Sequence, residues 1–67
     1  MNTNLLRGKI VASGMTQYKL AELLHMSKNT LSNKVQGHTS FTLEEVNQLC
    51  ELLQIDDNTE KAKIFLA

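Results

Sequence analysis

Proline is absent from the 67 residues, and only three glycines, Gly8, Gly14 and Gly37, punctuate them. So little breaks regular structure that the chain reads as all-α. Cysteine is nearly as scarce. Cys50 alone cannot close an internal disulfide, and a single thiol with two scattered histidines, His25 and His38, makes no metal-ligand cluster. No metal and no cofactor are expected. The chain also lacks a Gly-rich phosphate loop, a helix-borne pair of histidines and a nucleophile elbow, so neither an enzyme nor a small-molecule substrate is expected. It has no apolar run long enough to span a bilayer, and its start, "MNTNLLRGKI", lacks the basic region and long apolar core of a secretion signal. A soluble cytoplasmic protein with no membrane partner is the expectation.

Net charge is absent too, at a formal value of zero, but the charges are unevenly placed. Residues 1–41 carry Arg7, Lys9, Lys19, Lys28 and Lys34 against Glu22 alone, a net of +4. Residues 42–67 carry Lys61 and Lys63 against Glu44, Glu45, Glu51, Asp56, Asp57 and Glu60, a net of −4. An asymmetry of this kind is consistent with a polyanion meeting one side of the molecule. Residues 1–67 form one domain, and a domain of this size buries only about 60% of the surface that its unfolded chain exposes. A second subunit would make up for so small a core.

What is present is a series of helix starts. Thr16, Ser27 and Thr42 are good N-cap residues, each preceded by an apolar side chain (Met15, Met26, Phe41) that can staple to one four positions into the helix (Leu20, Leu31, Val46). Thr42 and Glu45 also make a capping box, with Glu44 and Glu45 where the helix dipole favours acids. Leu43, Val46, Cys50 and Leu53 follow at helical spacing beside Leu49, which puts an inert Cys50 thiol on a buried face. Upstream, Leu6 and Ile10 mark a helix that Gly14 closes, with Gly8 inside it. Downstream, Asp57 to Glu60 offers another capping box, ahead of Ala62, Ile64, Phe65 and Leu66. Five helices are expected, at about 3–13, 17–24, 28–36, 43–53 and 58–66, with ends uncertain by roughly 2 to 4 residues.

The third of these raises the functional question. At about 100° per residue, Leu31 and Val35 point one way, while Asn29 and Asn33 share the opposite side, flanked by Thr30, Ser32 and Gln36. That face is polar yet nearly uncharged, with amides and hydroxyls that both donate and accept. Such groups read base edges, an Asn amide bonding adenine N6 and N7 in one bidentate contact. Lys28 puts a cation where a helix N-terminus favours an acid, a placement that a guanine edge or a phosphate would offset.

The stretch "TQYKLAELLHMSKNTLSNKVQG" resembles the helix-turn-helix of the phage repressor and Cro family, also called the xenobiotic-response-element type, and the resemblance extends over residues 4 to 55. Its carriers are Gln17 opening the first helix of the pair, Leu20-Ala21 at the helix crossing, Leu24 before the turn, Leu31 in the second helix and Gly37 ending it. "FTLEEVNQLCELLQI" looks like the next helix in short members from Gram-positive bacteria and their prophages. His25 stands where the family often has glycine, and so must take positive φ. Lys34 stands where many relatives carry leucine, leaving Val35 as the second apolar anchor.

The resemblance implies a compact five-helix lambda-repressor-like domain. It further implies a homodimeric repressor on palindromic double-stranded DNA. Lys28, Asn29, Ser32 and Asn33 are the expected base readers, and Gln17, Lys34, His38, Thr39 and Ser40 the expected phosphate contacts. In the last helix Ile64 points away from Ala62, Phe65 and Leu66, so Ile64, Phe65 and Leu66 are expected to divide between core and subunit interface. A Cro-like antagonist or an antitoxin-type autoregulator would look the same, and a small helical protein-interaction module using the acidic helices is the alternative from another class.

Overall fold

The computed structural model describes residues 1–66 and contains five helices, α1 (Thr3–Ala12), α2 (Gln17–Leu23), α3 (Lys28–Val35), α4 (Leu43–Leu52) and α5 (Asn58–Phe65), with no strand among the described residues. The architecture is all-α, as expected. All five helices begin where the caps place them. Thr16 accepts from the Lys19 N–H at 3.1 Å, Ser27 from Thr30 at 3.1 Å and Thr42 from Glu45 at 3.2 Å, each satisfying a donor that the helix leaves orphaned. The Thr42–Glu45 capping box is closed, since Glu45 Oε1 accepts the Thr42 N–H at 2.9 Å. Met15, Met26 and Phe41 lie half-buried against the core, in the manner of staples. Asn2 also caps α1, taking the Leu5 N–H at 3.0 Å, a role not foreseen for it.

One expected capping box does not form. Asp57 accepts from Thr59 rather than from Glu60, and the Glu60 carboxylate turns inward to pair with Lys9 on α1, so α5 has no capping box. The ion pair wins because α1 packs directly against α5, a neighbour invisible to local spacing.

Each helix stops one residue short of its expected end, because Ser13, Leu24, Gln36, Leu53 and Leu66 are the half-in C-caps. Four of the connections then pass through a left-handed residue: Gly14 (φ 78°), His25 (φ 58°), Gly37 (φ 85°) and Gln54 (φ 57°). After α2, α3 and α4 the bonds are those of a Schellman cap. The Met26 N–H reaches Ala21 O at 3.0 Å, His38 reaches Asn33 O at 2.9 Å and Ile55 reaches Cys50 O at 2.8 Å.

The core is a single cluster in which Leu6, Leu20, Leu31, Val35, Leu49 and Ile64 are fully buried. Burying each such side chain contributes about 1.5 to 3 kcal/mol. α3 packs on α2 and α1, and α1 also packs on α5, where the Asn2 N–H ahead of α1 donates to Ile64 O at 2.7 Å. Leu43, expected on the buried face of α4, is instead 77% exposed. It is the first residue of α4, so it leads the inward stripe by a turn and projects past the edge of the core. No helix among the described residues is long and apolar enough to cross a membrane.

Candidate functional site

α3 divides cleanly into two sides. Leu31 and Val35 are wholly buried against the other helices, and this fixes the rotation of α3 so that Asn29 and Asn33 face solvent. Neither amide has a hydrogen-bond partner among the described residues. Their neighbours do have partners. Ser27 Oγ donates to Thr30 Oγ1 at 2.9 Å, and Gln36 Nε2 donates to Ser32 Oγ at 2.8 Å. Gln36 Oε1 in turn lies 3.1 Å from His38 Nε2, so Ser32, Gln36 and His38 form one chain. The face therefore presents two uncommitted amides framed by hydroxyls that the fold already holds in place.

Lys28 opens α3 at the edge of that face. Its Nζ lies 5.1 Å from the centroid of the Tyr18 ring, which stands on α2. Gln17, the first residue of α2, is half-buried and lines a shallow cleft with Arg7, Val11 and Met15. Tyr18 and the placement of Arg7 beside Gln17 went unremarked in the sequence, because Tyr18 meets Lys28 only through the packing of α2 on α3 and Arg7 reaches the Gln17 cleft only in the folded chain.

Lys34 departs from expectation. Instead of standing free for a phosphate, its Nζ donates to Glu45 Oε1 at 2.7 Å and lies 5.9 Å from the Phe41 ring, with only 15% of the side chain exposed. The Lys34 ammonium and the Thr42 N–H together hold the Glu45 carboxyl below the usual glutamate range. Both hydrogen bonds favour the ionised form. The pair locks the end of α3 to the start of α4, with the loop of residues 36–42 between them. In that loop Thr39 and Ser40 are exposed, beside Phe41, Val46 and Phe65 in a second cleft.

Of the three apolar residues expected to divide between core and interface, Ile64 takes the core position. It is fully buried in the core and cannot touch a second subunit. Phe65 is half-buried, its ring edge-on to Phe41 at 6.5 Å and 87°, and Leu66 is 84% exposed. These two are what α5 leaves for a contact. Cys50 is buried, and desolvation raises its thiol pKa, which keeps it protonated and unreactive near neutral pH.

Three of the five cations of residues 1–41 are paired with acids: Lys9 with Glu60, Lys19 with Glu22 and Lys34 with Glu45. Two of these pairs join the basic and acidic halves, so the linear asymmetry is partly cancelled by folding. Arg7 and Lys28 have no carboxylate partner among the described residues.

No curated protein and no solved structure matches this chain. One family model does, over residues 2–66, and its description is a protein of unknown function. The match spans all five helices, and the chain belongs to that family, DUF739.

Proposed function

We propose that this protein is a sequence-specific DNA-binding transcriptional regulator, a repressor that holds a palindromic operator as a homodimer in the cytoplasm. The observation that carries the reading is the solvent side of α3. Asn29 and Asn33 are exposed, aligned and unpartnered, on a helix whose rotation Leu31 and Val35 fix from the other side. A solvated face needs no such arrangement, whereas two amides held on a rigid helix can reach adenine edges in a major groove.

In this reading α2 and α3 are the two helices of a helix-turn-helix. Lys28, Asn29, Ser32 and Asn33 face the groove, with Ser32 held by Gln36, and Lys28 reads guanine. Gln17, His38, Thr39 and Ser40 follow the phosphates, where short polar groups fix register without reading sequence. Arg7 joins them beside Gln17, and Lys34 drops out of the set because Glu45 holds it. Phe65 and Leu66 form the two-fold contact, continued by Phe41.

The test pairs an operator selected from a random DNA pool with a scrambled duplex at fixed salt. Asn29→Ala and Asn33→Ala are each expected to lower operator affinity by about 1 to 3 kcal/mol and to relax preference at one base step, leaving scrambled DNA unaffected. Gln17→Ala is expected to weaken both alike. If Asn29→Ala lowers both affinities equally, or neither, α3 does not read DNA.

A further inference from the structure

Tyr18 is 71% exposed, so burial does not account for an aromatic ring at this position. It does have one defined contact. The Lys28 ammonium lies over its face, 5.1 Å from the centroid, within the range of a cation–π attraction. Lys28 is also the first residue of α3, directly after the Ser27 cap, where the positive end of the helix dipole repels a cation. No carboxylate among the described residues holds it. A free lysine there would swing away from the helix end through its many rotamers. The ring, carried on α2 and held against α3 by the packing of Leu20, Ala21 and Leu31, opposes that tendency.

We propose that Tyr18 is a positioning residue for Lys28: its ring face braces the ammonium at the edge of the polar side of α3, so that Lys28 meets a guanine edge already ordered. This rests on the reading of α3 as the helix that enters the major groove. The brace works through the ring and not through the phenol hydroxyl, and it lowers the rotamer freedom that Lys28 loses on binding. It therefore acts on base discrimination at the Lys28 step and leaves affinity for arbitrary DNA alone.

Two measurements on the intact chain test it. In the free protein, the Lys28 ε-methylene protons are expected to resonate upfield from ring current, to stay there in Tyr18→Phe and to return to ordinary values in Tyr18→Leu. On DNA, Tyr18→Leu is expected to lose roughly two- to fivefold in affinity for the selected operator, the ratio matching a cation–π contact at an exposed site. Scrambled DNA should bind as before, Tyr18→Phe should match the wild type, and Tyr18→Leu should cost nothing further once Lys28 is alanine. An unshifted Lys28 resonance in the wild type overturns the brace. So does a Tyr18→Phe variant as impaired as Tyr18→Leu, which would mean that the hydroxyl touches phosphate. A wild type that discriminates operator from scrambled DNA, with a Tyr18→Leu variant that discriminates equally well, overturns this inference alone. A wild type that binds neither duplex overturns the groove reading and the brace together.

Discussion

His25 and Gln54 occupy the same backbone position as Gly14 and Gly37, the left-handed residue that lets a helix end and the chain turn away. For a residue with a Cβ this conformation costs on the order of 1 kcal/mol, whereas glycine adopts it freely. Both side chains are exposed, so replacing them sacrifices no core contact. His25→Gly and Gln54→Gly are each expected to raise unfolding free energy by about 0.5 to 1 kcal/mol in denaturant titration, after the added entropy of the unfolded glycine is counted. Gly37→Ala should do the reverse, because its φ of 85° is strained for alanine and the new methyl would lie 3.5 Å from Thr3 Cγ2. Gly8 is the opposite case, an ordinary helical position with open space around it, and Gly8→Ala should stabilise by about 0.5 to 1 kcal/mol. If Gly8→Ala destabilises, something approaches that backbone in the working assembly. The His25 conformation was legible only through the helix-turn-helix pattern that the stretch resembles, in which that turn position is often glycine. Gln54 was not, since a glutamine before "IDD" carries no local signal of positive φ.

At the scale of helices, the starts of α2, α3 and α4 were legible because an N-cap is a local device: Thr16, Ser27 and Thr42 meet partners three residues away. The Lys34–Glu45 tie was not legible, because eleven residues separate the partners and only the turn of residues 36–42 brings α3 and α4 together. The same reason hid the Lys9–Glu60 pair and produced the wrong capping box at α5. The tie has a measurable pH signature. The Glu45 pKa is lowered in the folded state, so its contribution is fully present above the unfolded glutamate value of about 4.3 and is lost as pH falls through the lower folded value. Glu45→Gln is expected to cost about 1 kcal/mol at pH 7. That deficit should shrink steadily below about pH 4, where the wild-type carboxyl takes up its proton. A deficit that is constant from pH 7 to pH 2 would mean that the ionised pair contributes nothing. Lys34→Met should show a similar neutral-pH loss, with Glu45 left beside an apolar side chain.

For the molecule as a whole, two surfaces compete to explain how it would meet its partners. The first is the end of α5. Ile64 is committed to the core, so a truncation that removes it would damage the fold and say nothing about association. Leu66 is the cleaner probe, since its exposure means that Leu66→Glu removes no core contact. In sedimentation the wild type is expected to run as a dimer and Leu66→Glu as a monomer with reduced operator affinity; equal sedimentation of the two would remove α5 from the interface. The second surface is electrostatic. Counting along the chain gives a strongly basic half, but folding pairs Lys9, Lys19 and Lys34 with acids and leaves Arg7 and Lys28 as the cations without carboxylate partners among the described residues of that half. A dimer would then bring about four such cations to DNA, and each phosphate neutralised contributes a slope near −0.9 in log affinity against log salt. The expected slope is about −3 to −4, shallow for a dimer on an operator. Lys28→Met should flatten it by about 2 and Lys34→Met should hardly alter it, because Glu45 already neutralises Lys34. If Lys34→Met flattens the slope as much as Lys28→Met does, the lysine leaves its carboxylate on binding, and the lock between α3 and α4 opens when the protein meets DNA.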